Sequence, residues 1–166
     1  KKVIGYDVDK NLVDNKSVYF NDSLKNPKKY DFVITNPPYL HKNKANLETK
    51  RKYFSGNNSS FEDLYQVSLN SIMNSDEGII IVPLNFLSAE NSSKIRKLFF
   101  DKFEILHVNI FLERVFEDTT YNVIAFYYKK KTKLLDTITF TKTIYTLENK
   151  GVLRIKKQFN WKIGGE

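Results

Sequence analysis

The sequence contains no cysteine and only two histidines, His41 and His107, among its 166 residues. Without cysteine, a disulfide framework and a metal site built from thiolates are both excluded. A zinc deaminase centre is excluded as well, because its ligand set includes at least two cysteines. We therefore expect chemistry that needs no metal, in a reducing compartment.

Long apolar runs and glycine-rich turns are absent too. No segment has the length of a membrane span, and the sequence enters a predicted strand at Val3 without a signal-peptide region. We expect a soluble, cytoplasmic protein with no membrane partner. The six glycines form no Gly-x-Gly motif, and none stands in a strand-to-helix turn of the kind that cradles a nucleotide phosphate.

Basic residues outnumber acidic ones by 27 to 19, which gives a net charge of +8. They concentrate in three segments, at residues 42–52, 129–133 and 154–157. Such a balance suits a polyanionic partner, although a lysine-rich surface can also serve solubility alone. The length allows one hydrophobic core and is too short for two ordinary domains.

The most informative segment is Asn36-Pro37-Pro38-Tyr39, which directly follows the apolar run Tyr30–Thr35. Proline has no N–H and a fixed φ, so two prolines end strand pairing and leave carbonyl oxygens free. Together with the carboxamide of Asn36 and the ring of Tyr39, such a corner can bind a planar amine. The alternative is an ordinary turn that begins at Asn36, with the tyrosine packed on the sheet.

Polar residues follow three predicted strands. Asp7 follows the strand that begins at Val3, Asp22 follows the run that begins at Val18, and Asn36 follows the third strand. Open α/β sheets bind ligands at the carboxyl ends of their strands, where an acidic side chain accepts a ribose hydroxyl. Asp22 also stands in an Asn-Asp-Ser string that is typical of turns. The three strand ends together predict a ligand site at one edge of the sheet.

Helices and strands alternate further along the chain. The pattern predicts a helix from Phe61 to Met73, capped by Ser60 and ended near Gly78, and then a buried strand at 79–82. A second helix, capped by Asn91 or Ser92, is predicted to run through Phe100. Strands are predicted at 104–110 and 121–128. Because only a short loop joins the last two strands, they should run antiparallel in an otherwise parallel sheet. Residues 41–60 lack an apolar period, which predicts a loop over the pocket.

After residue 131 the apolar pattern changes to period two. It predicts a β extension with strands at 137–141 and 152–155, joined by a turn at Asn149-Lys150-Gly151. The chain is thereby divided into residues 1–131 and an extension, 132–166. The pattern leaves open whether this extension is a linker or the start of a further domain.

In these motifs and their order, the sequence resembles the adenine-specific DNA methyltransferases of restriction-modification systems, the class that carries an Asn-Pro-Pro-Tyr motif. The resemblance covers residues 3–130. It implies a Rossmann-like, S-adenosylmethionine-dependent methyltransferase fold: a mostly parallel α/β sheet with an antiparallel last strand, the first strand missing, and a β-rich C-terminal extension. Residues 1–131 would be a partial catalytic domain, and residues 132–166 a linker or the start of a DNA-recognition domain.

The resemblance also implies roles for individual residues. The catalytic residues would be Asn36, Pro37, Pro38, Tyr39 and Phe116. The carboxamide oxygen of Asn36 and the carbonyl of Pro37 would accept hydrogen bonds from the adenine amine, and the rings of Tyr39 and Phe116 would stack on the flipped base.

The cofactor implied by the resemblance is S-adenosyl-L-methionine. Asp7 would bind its ribose, Val8 and Asp22 its adenine, and Asn36 would border the same site. No metal is implied. The implied partners are double-stranded DNA and a cognate restriction endonuclease or recognition domain.

Two other interpretations stay open at this point. Asn-Pro-Pro-Tyr enzymes also methylate RNA amines and protein glutamine amides, although the basic segment after the motif favours DNA. The chain could instead be a non-catalytic DNA-binding fragment that kept the fold without cofactor binding.

Because the glycine-rich turn that holds the methionine end of the cofactor is missing, we predict that residues 1–166 alone bind S-adenosylmethionine too weakly for calorimetry. Hydrogen bonds from the cofactor to Asp7 and Asp22, at about 1 kcal/mol each, are too few to replace a closed site. Adding an upstream segment with such a turn should restore binding. Tight binding by the 166-residue chain would contradict this expectation.

Overall fold

The computed structural model of the protein describes residues 3–117, 120–146 and 149–164, which form a mixed α/β fold. The strands are β1 (Gly5–Asp7), β2 (Val18–Phe20), β3 (Tyr30–Thr35), β4 (Ser75–Pro83), β5 (Phe103–Phe111), β6 (Val123–Lys130), β7 (Thr137–Tyr145) and β8 (Asn149–Lys156). The helices are α1 (Leu47–Tyr53), α2 (Leu64–Ser71), α3 (Asn85–Ser88) and α4 (Ser93–Lys102). The predicted α/β class is confirmed.

The strands form two separate sheets. β1 and β2 make a parallel pair, and the other six form a sheet in the order β3-β4-β6-β5-β7-β8. Within this sheet β3, β4, β5 and β7 point in one direction, and β6 and β8 run against them. β6 lies between β4 and β5 and is antiparallel to both. The mostly parallel sheet with a reversed strand is therefore as predicted.

The hydrophobic core centres on Phe99 of α4, which is fully buried. Five aromatic rings have centroids within 5.6 Å of it: Phe86, Phe100, Phe103, Phe126 and Tyr128. α4 places these contacts on one face because its buried residues recur at helical spacing, from Ile95 to Phe99. The aromatic cluster joins α3 and α4 to the middle of the large sheet.

Gly78 lies inside β4, as the fourth residue of the strand, so its predicted place at the exit of a helix is wrong. A Cβ atom there would stand 2.5 Å from the carbonyl oxygen of Val33 and 2.8 Å from the ring of Tyr128. Glycine is therefore needed where β3 and β6 flank β4 most closely.

The predicted loop at residues 41–60 is wrong in part, because it contains α1. The carboxamide oxygen of Asn46 caps this helix by accepting a hydrogen bond from the backbone N–H of Thr49, at 2.8 Å. Ala45 and Phe54, one on each flank of the capped helix, are both buried. The helix is held by its cap and by tertiary contacts, which an apolar period does not reveal.

Two further boundaries differ from the predictions. α2 is capped by Asp63 and not by Ser60, because Asp63 is still extended and forms a bridge with His41. The turn predicted at Asn149-Lys150-Gly151 is wrong, since these residues begin β8.

The C-terminal hairpin continues the large sheet. β7 pairs in parallel with β5, and Ile138, Phe140 and Ile155 belong to the main core. The functional division of the chain near residue 131 stays a prediction. Among the described residues, no helix is long and apolar enough to cross a membrane.

We predict that Phe99→Ala lowers the free energy of unfolding by about 3–5 kcal/mol, because it removes the ring at the centre of the aromatic cluster. The matched control is Leu98→Ala, since Leu98 is 41% exposed and its loss should cost about 0.5 kcal/mol. Urea denaturation followed by the fluorescence of Trp161, the single tryptophan, measures both. Equal losses would contradict the assigned core.

Candidate functional site

The site is built around the corner where β3 ends. Thr35 is the last residue of β3 and pairs with Ile80 of β4. Asn36 follows it and is exposed, whereas Pro37 is buried and Pro38 is exposed. The two prolines have no N–H, so the chain leaves the sheet here and presents the carboxamide to solvent.

Tyr39 folds back onto this corner. Its hydroxyl lies 3.0 Å from Oδ1 of Asn36 and 3.2 Å from the carbonyl oxygen of Ile81, and it donates to both acceptors in turn. Burial raises the pKa of Tyr39 to about 12, so the phenol keeps its proton at neutral pH. The amide oxygen of Asn36 is thereby oriented and polarised, while its second lone pair stays available.

Phe116 meets Tyr39 in the structure. The two ring centroids are 6.2 Å apart and the ring planes cross at 66°, which is an edge-to-face contact. The two predicted stacking residues are therefore neighbours, but no gap for a base separates parallel faces. A flat ligand between them would require the rings to move apart.

A cleft opens beside Tyr39, with about 400 Å³ of empty space including the part open to solvent. Its walls mix aromatic and hydrogen-bonding side chains: Tyr39, His41, Asp63, Tyr65, Pro83, Asn85, Asn91 and Tyr121. Such a mixture suits a flat, polar ring.

The carboxyl group of Asp63 and the ring of His41 both face this cleft. Burial raises the pKa of Asp63, partly offset by nearby His41. Nδ1 of His41 accepts a hydrogen bond from the backbone N–H of Asn43 at 3.1 Å, which leaves Nε2 as the ring nitrogen that can donate. The cleft thus offers both a carboxyl group and a ring N–H.

Asp7 and Val8 lie at the end of β1. Oδ1 of Asp7 accepts a hydrogen bond from the backbone N–H of Asp9 at 2.8 Å, which makes a tight turn. The backbone carbonyl of Asp7 accepts from Asn21 at 3.0 Å, so the ends of β1 and β2 are tied together. Val8 is 51% exposed. An acceptor oxygen and an apolar surface are therefore side by side at this strand end.

Asp22 follows β2 and is buried. Its Oδ2 lies 2.8 Å from the ammonium group of Lys52 and accepts a hydrogen bond from the hydroxyl of Tyr53 at 3.0 Å. Burial alone would raise the pKa of Asp22, but these two donors outweigh it and hold the pKa below its ordinary value. Sequence reasoning found Asp22 and missed Lys52 and Tyr53.

The predicted site residues fall into two groups. Asn36, Tyr39 and Phe116 meet at the end of β3, and Asp7 and Asp22 stand at the ends of the paired strands β1 and β2. Among the described residues, no hydrogen bond, ion pair or ring contact joins Asn36 to either aspartate. The described residues also contain no cluster of acidic and histidine side chains that could hold a metal ion.

The three basic segments are at different places. Lys129 pairs with Glu77 at the start of β4, at the end of the sheet opposite to the corner. Phe126 of β6 pairs with Ile80, the partner of Thr35 at the corner, and by strand rise the three steps from Phe126 to Lys129 span about 10 Å. Residues 154–157 lie at the same distant end, because Lys156 pairs with Thr137 at the start of β7. Only the segment at residues 42–52 borders the site.

Comparison with known proteins identifies related sequences and folds. The family model described as Eco57I restriction-modification methylase matches residues 3–116. No curated protein matches the sequence significantly.

Several solved structures share the fold. The type IIG restriction endonuclease BpuSI has a TM-score of 0.60 and 15% identity, over 87% of this chain and 21% of that one. The M protein of the type I restriction enzyme EcoKI has a TM-score of 0.53 and 14% identity, over 77% of this chain and 29% of that one. The type IIL restriction-modification enzyme MmeI, in complex with DNA, has a TM-score of 0.51 and 16% identity, over 84% of this chain and 21% of that one. The chain thus spans less than a third of each of these proteins.

We predict that the contacts between α1 and Asp22 are lost at acid pH. The ionised form of Asp22 holds Lys52 and Tyr53, so its contribution is complete above the ordinary carboxyl pKa of about 3.9 and is lost as the pH falls through the lowered pKa. The NMR signals of the Tyr53 ring should therefore keep their positions at pH 5 and shift only below about 3.9. In Asp22→Asn this titration should vanish, and a wild-type midpoint above that value would contradict the assignment.

Proposed function

Because the chain belongs to the Eco57I restriction-modification methylase family, we propose that it forms the catalytic part of a site-specific DNA methyltransferase. The methyl group moves from S-adenosylmethionine to the exocyclic amino group of a flipped adenine. The observation that carries this proposal is the corner at the end of β3, where Tyr39 holds the amide oxygen of Asn36.

The corner suits an aromatic amine. The lone pair of such an amine is delocalised into its ring, which makes the nitrogen a poor nucleophile. If the amide oxygen of Asn36 and the carbonyl of Pro37 each accept a hydrogen bond from one N–H of the amine, the nitrogen is drawn out of conjugation and its lone pair becomes available. Positioning of the amine supplies most of the acceleration, and no general base with a shifted pKa is needed.

The cleft beside Tyr39 suits the flipped base itself. A base inside a duplex cannot reach the corner, so it has to leave the stack. Tyr39 and Phe116 offer aromatic surface to replace the lost stacking, worth about 1–3 kcal/mol per base. Binding would open their edge-to-face contact, and the polar walls at Asp63 and Asn85 would face the edges of the base.

The residues at the ends of β1 and β2 fit the adenosine half of the cofactor. Oδ1 of Asp7 is taken by its own turn, which leaves Oδ2 to accept a ribose hydroxyl. Val8 offers an exposed apolar surface to the adenine ring, and Asp22 an acceptor to its amino group. When bound, S-adenosylmethionine supplies an activated methyl group on a sulfonium.

The basic segment at residues 42–52 supports DNA as the polymer substrate. It borders the corner and includes α1, whose last turn carries Lys50, Arg51 and Lys52. Lysine and arginine side chains bind the phosphate backbone and hold a duplex in register. The family match supports DNA over RNA or a protein amide.

The test of this proposal is Asn36→Ala in the full-length protein. Methyl transfer to adenine should be abolished, because the carboxamide acts on the amine, while DNA affinity should change by less than a few-fold, because phosphate contacts are kept. Transfer of labelled methyl groups and duplex binding are measured side by side. Asn74→Ala, an exposed residue before β4, is the matched control, and a near-normal rate in Asn36→Ala would refute the mechanism.

A further inference from the structure

The Asp22 carboxylate uses its two oxygens differently. Oδ2 receives both strong donors, the ammonium of Lys52 at 2.8 Å and the hydroxyl of Tyr53 at 3.0 Å. Oδ1 accepts a single long hydrogen bond in the described structure, from the backbone N–H of Lys25 at 3.4 Å. A carboxylate oxygen has two lone pairs, so Oδ1 keeps capacity for another donor.

Lys52 and Tyr53 contact each other as well as Asp22. The ammonium of Lys52 lies 4.9 Å from the centroid of the Tyr53 ring, which is within range of a cation–π contact. Two adjacent residues of α1 thus bind the same carboxylate oxygen of Asp22, which lies 30 residues before Lys52 in the sequence. Rotation of the Asp22 side chain would break both contacts.

The helix that carries the two residues is itself fixed. Its N-terminus is capped by Asn46, and its last turn is held by Ser55, whose hydroxyl donates to the carbonyl of Arg51 at 2.8 Å. Phe54, the next residue after Tyr53, is buried in the core. α1 therefore reaches Asp22 from a rigid support.

We infer that Lys52 and Tyr53 are positioning residues of the methyl-donor site, which hold Oδ2 of Asp22 so that Oδ1 faces the amino group of the donor's adenine. The inference rests on the proposed function, which places that adenine at Asp22. It extends the donor site to a helix of the 41–60 segment, which sequence patterns alone predict to be a loop. The same helix carries the exposed Arg51, so one short element belongs to both the donor site and the basic segment at residues 42–52.

The test compares two nucleosides on the full-length protein, by ligand-observed NMR at millimolar concentrations. Adenosine carries the 6-amino group and purine riboside lacks it, while both carry the ribose. Wild type should prefer adenosine about tenfold, the value of one hydrogen bond to a charged acceptor. Lys52→Met and Tyr53→Phe should reduce this preference to about threefold or less, with the affinity for purine riboside unchanged within about twofold.

The control is Lys97→Met. Lys97 pairs with Asp101 at 2.7 Å on α4, so the variant loses a similar lysine–aspartate contact elsewhere and should keep the full preference. If Lys52 has a purely structural role, Lys52→Met should weaken the binding of both nucleosides equally, and this result would overturn the inference. An unchanged or larger preference in both variants, or no preference in wild type, would also overturn it.

Methylation of DNA by the same samples separates the two claims. If wild type methylates adenine but the nucleoside preference survives both substitutions, the positioning role is wrong and the proposed function stands. If the preference falls as expected but DNA gains no methyl group, the proposed function is wrong and the positioning of Asp22 stands.

Discussion

Two consecutive prolines at the end of β3 are the constraint on which the site depends. Since neither has an N–H, the chain cannot continue its pairing with β4, and the last paired residue is Thr35. The carbonyl of Ile81, just beyond that pair, accepts from the hydroxyl of Tyr39 instead. The same hydroxyl reaches Asn36, so a break in the sheet's hydrogen bonding places the aromatic ring beside the carboxamide. The edge position of β3 leaves this corner open to a ligand.

Much of the fold could be predicted from the sequence because local signals and the hydrophobic pattern agree. The apolar runs of β4 and β5 and the short link to β6 indicate the reversed strand, and the polar residues Asp7, Asp22 and Asn36 mark strand ends. α1 was not predictable from periodicity, since most of its residues are polar and its stability comes from a cap and from buried flanking residues. An Asn46 cap followed by basic residues in the last turn is the signal that could have found it.

The candidate site could be predicted only in part, for a related reason. A motif of adjacent residues such as 36–39 is visible in the sequence, but the contact of Asp22 with Lys52 and Tyr53 joins residues 30 and 31 positions apart. Charge shows the same limit. The three basic segments are alike in composition, yet the pairing of Lys129 with Glu77 and of Lys156 with Thr137 places two of them toward the end of the sheet away from the corner. Tertiary structure decides which lysines can act together with the site.

The central claim is that the corner at Asn36 directs a methyl group to the amino group of adenine in DNA. Its most direct test is to incubate the full-length protein with duplex DNA and isotopically labelled S-adenosylmethionine, digest the DNA to nucleosides, and identify the labelled product by mass spectrometry. The account predicts that the label appears in N6-methyladenine. Label confined to methylated cytosine, or found only when RNA or protein replaces the DNA, would contradict it.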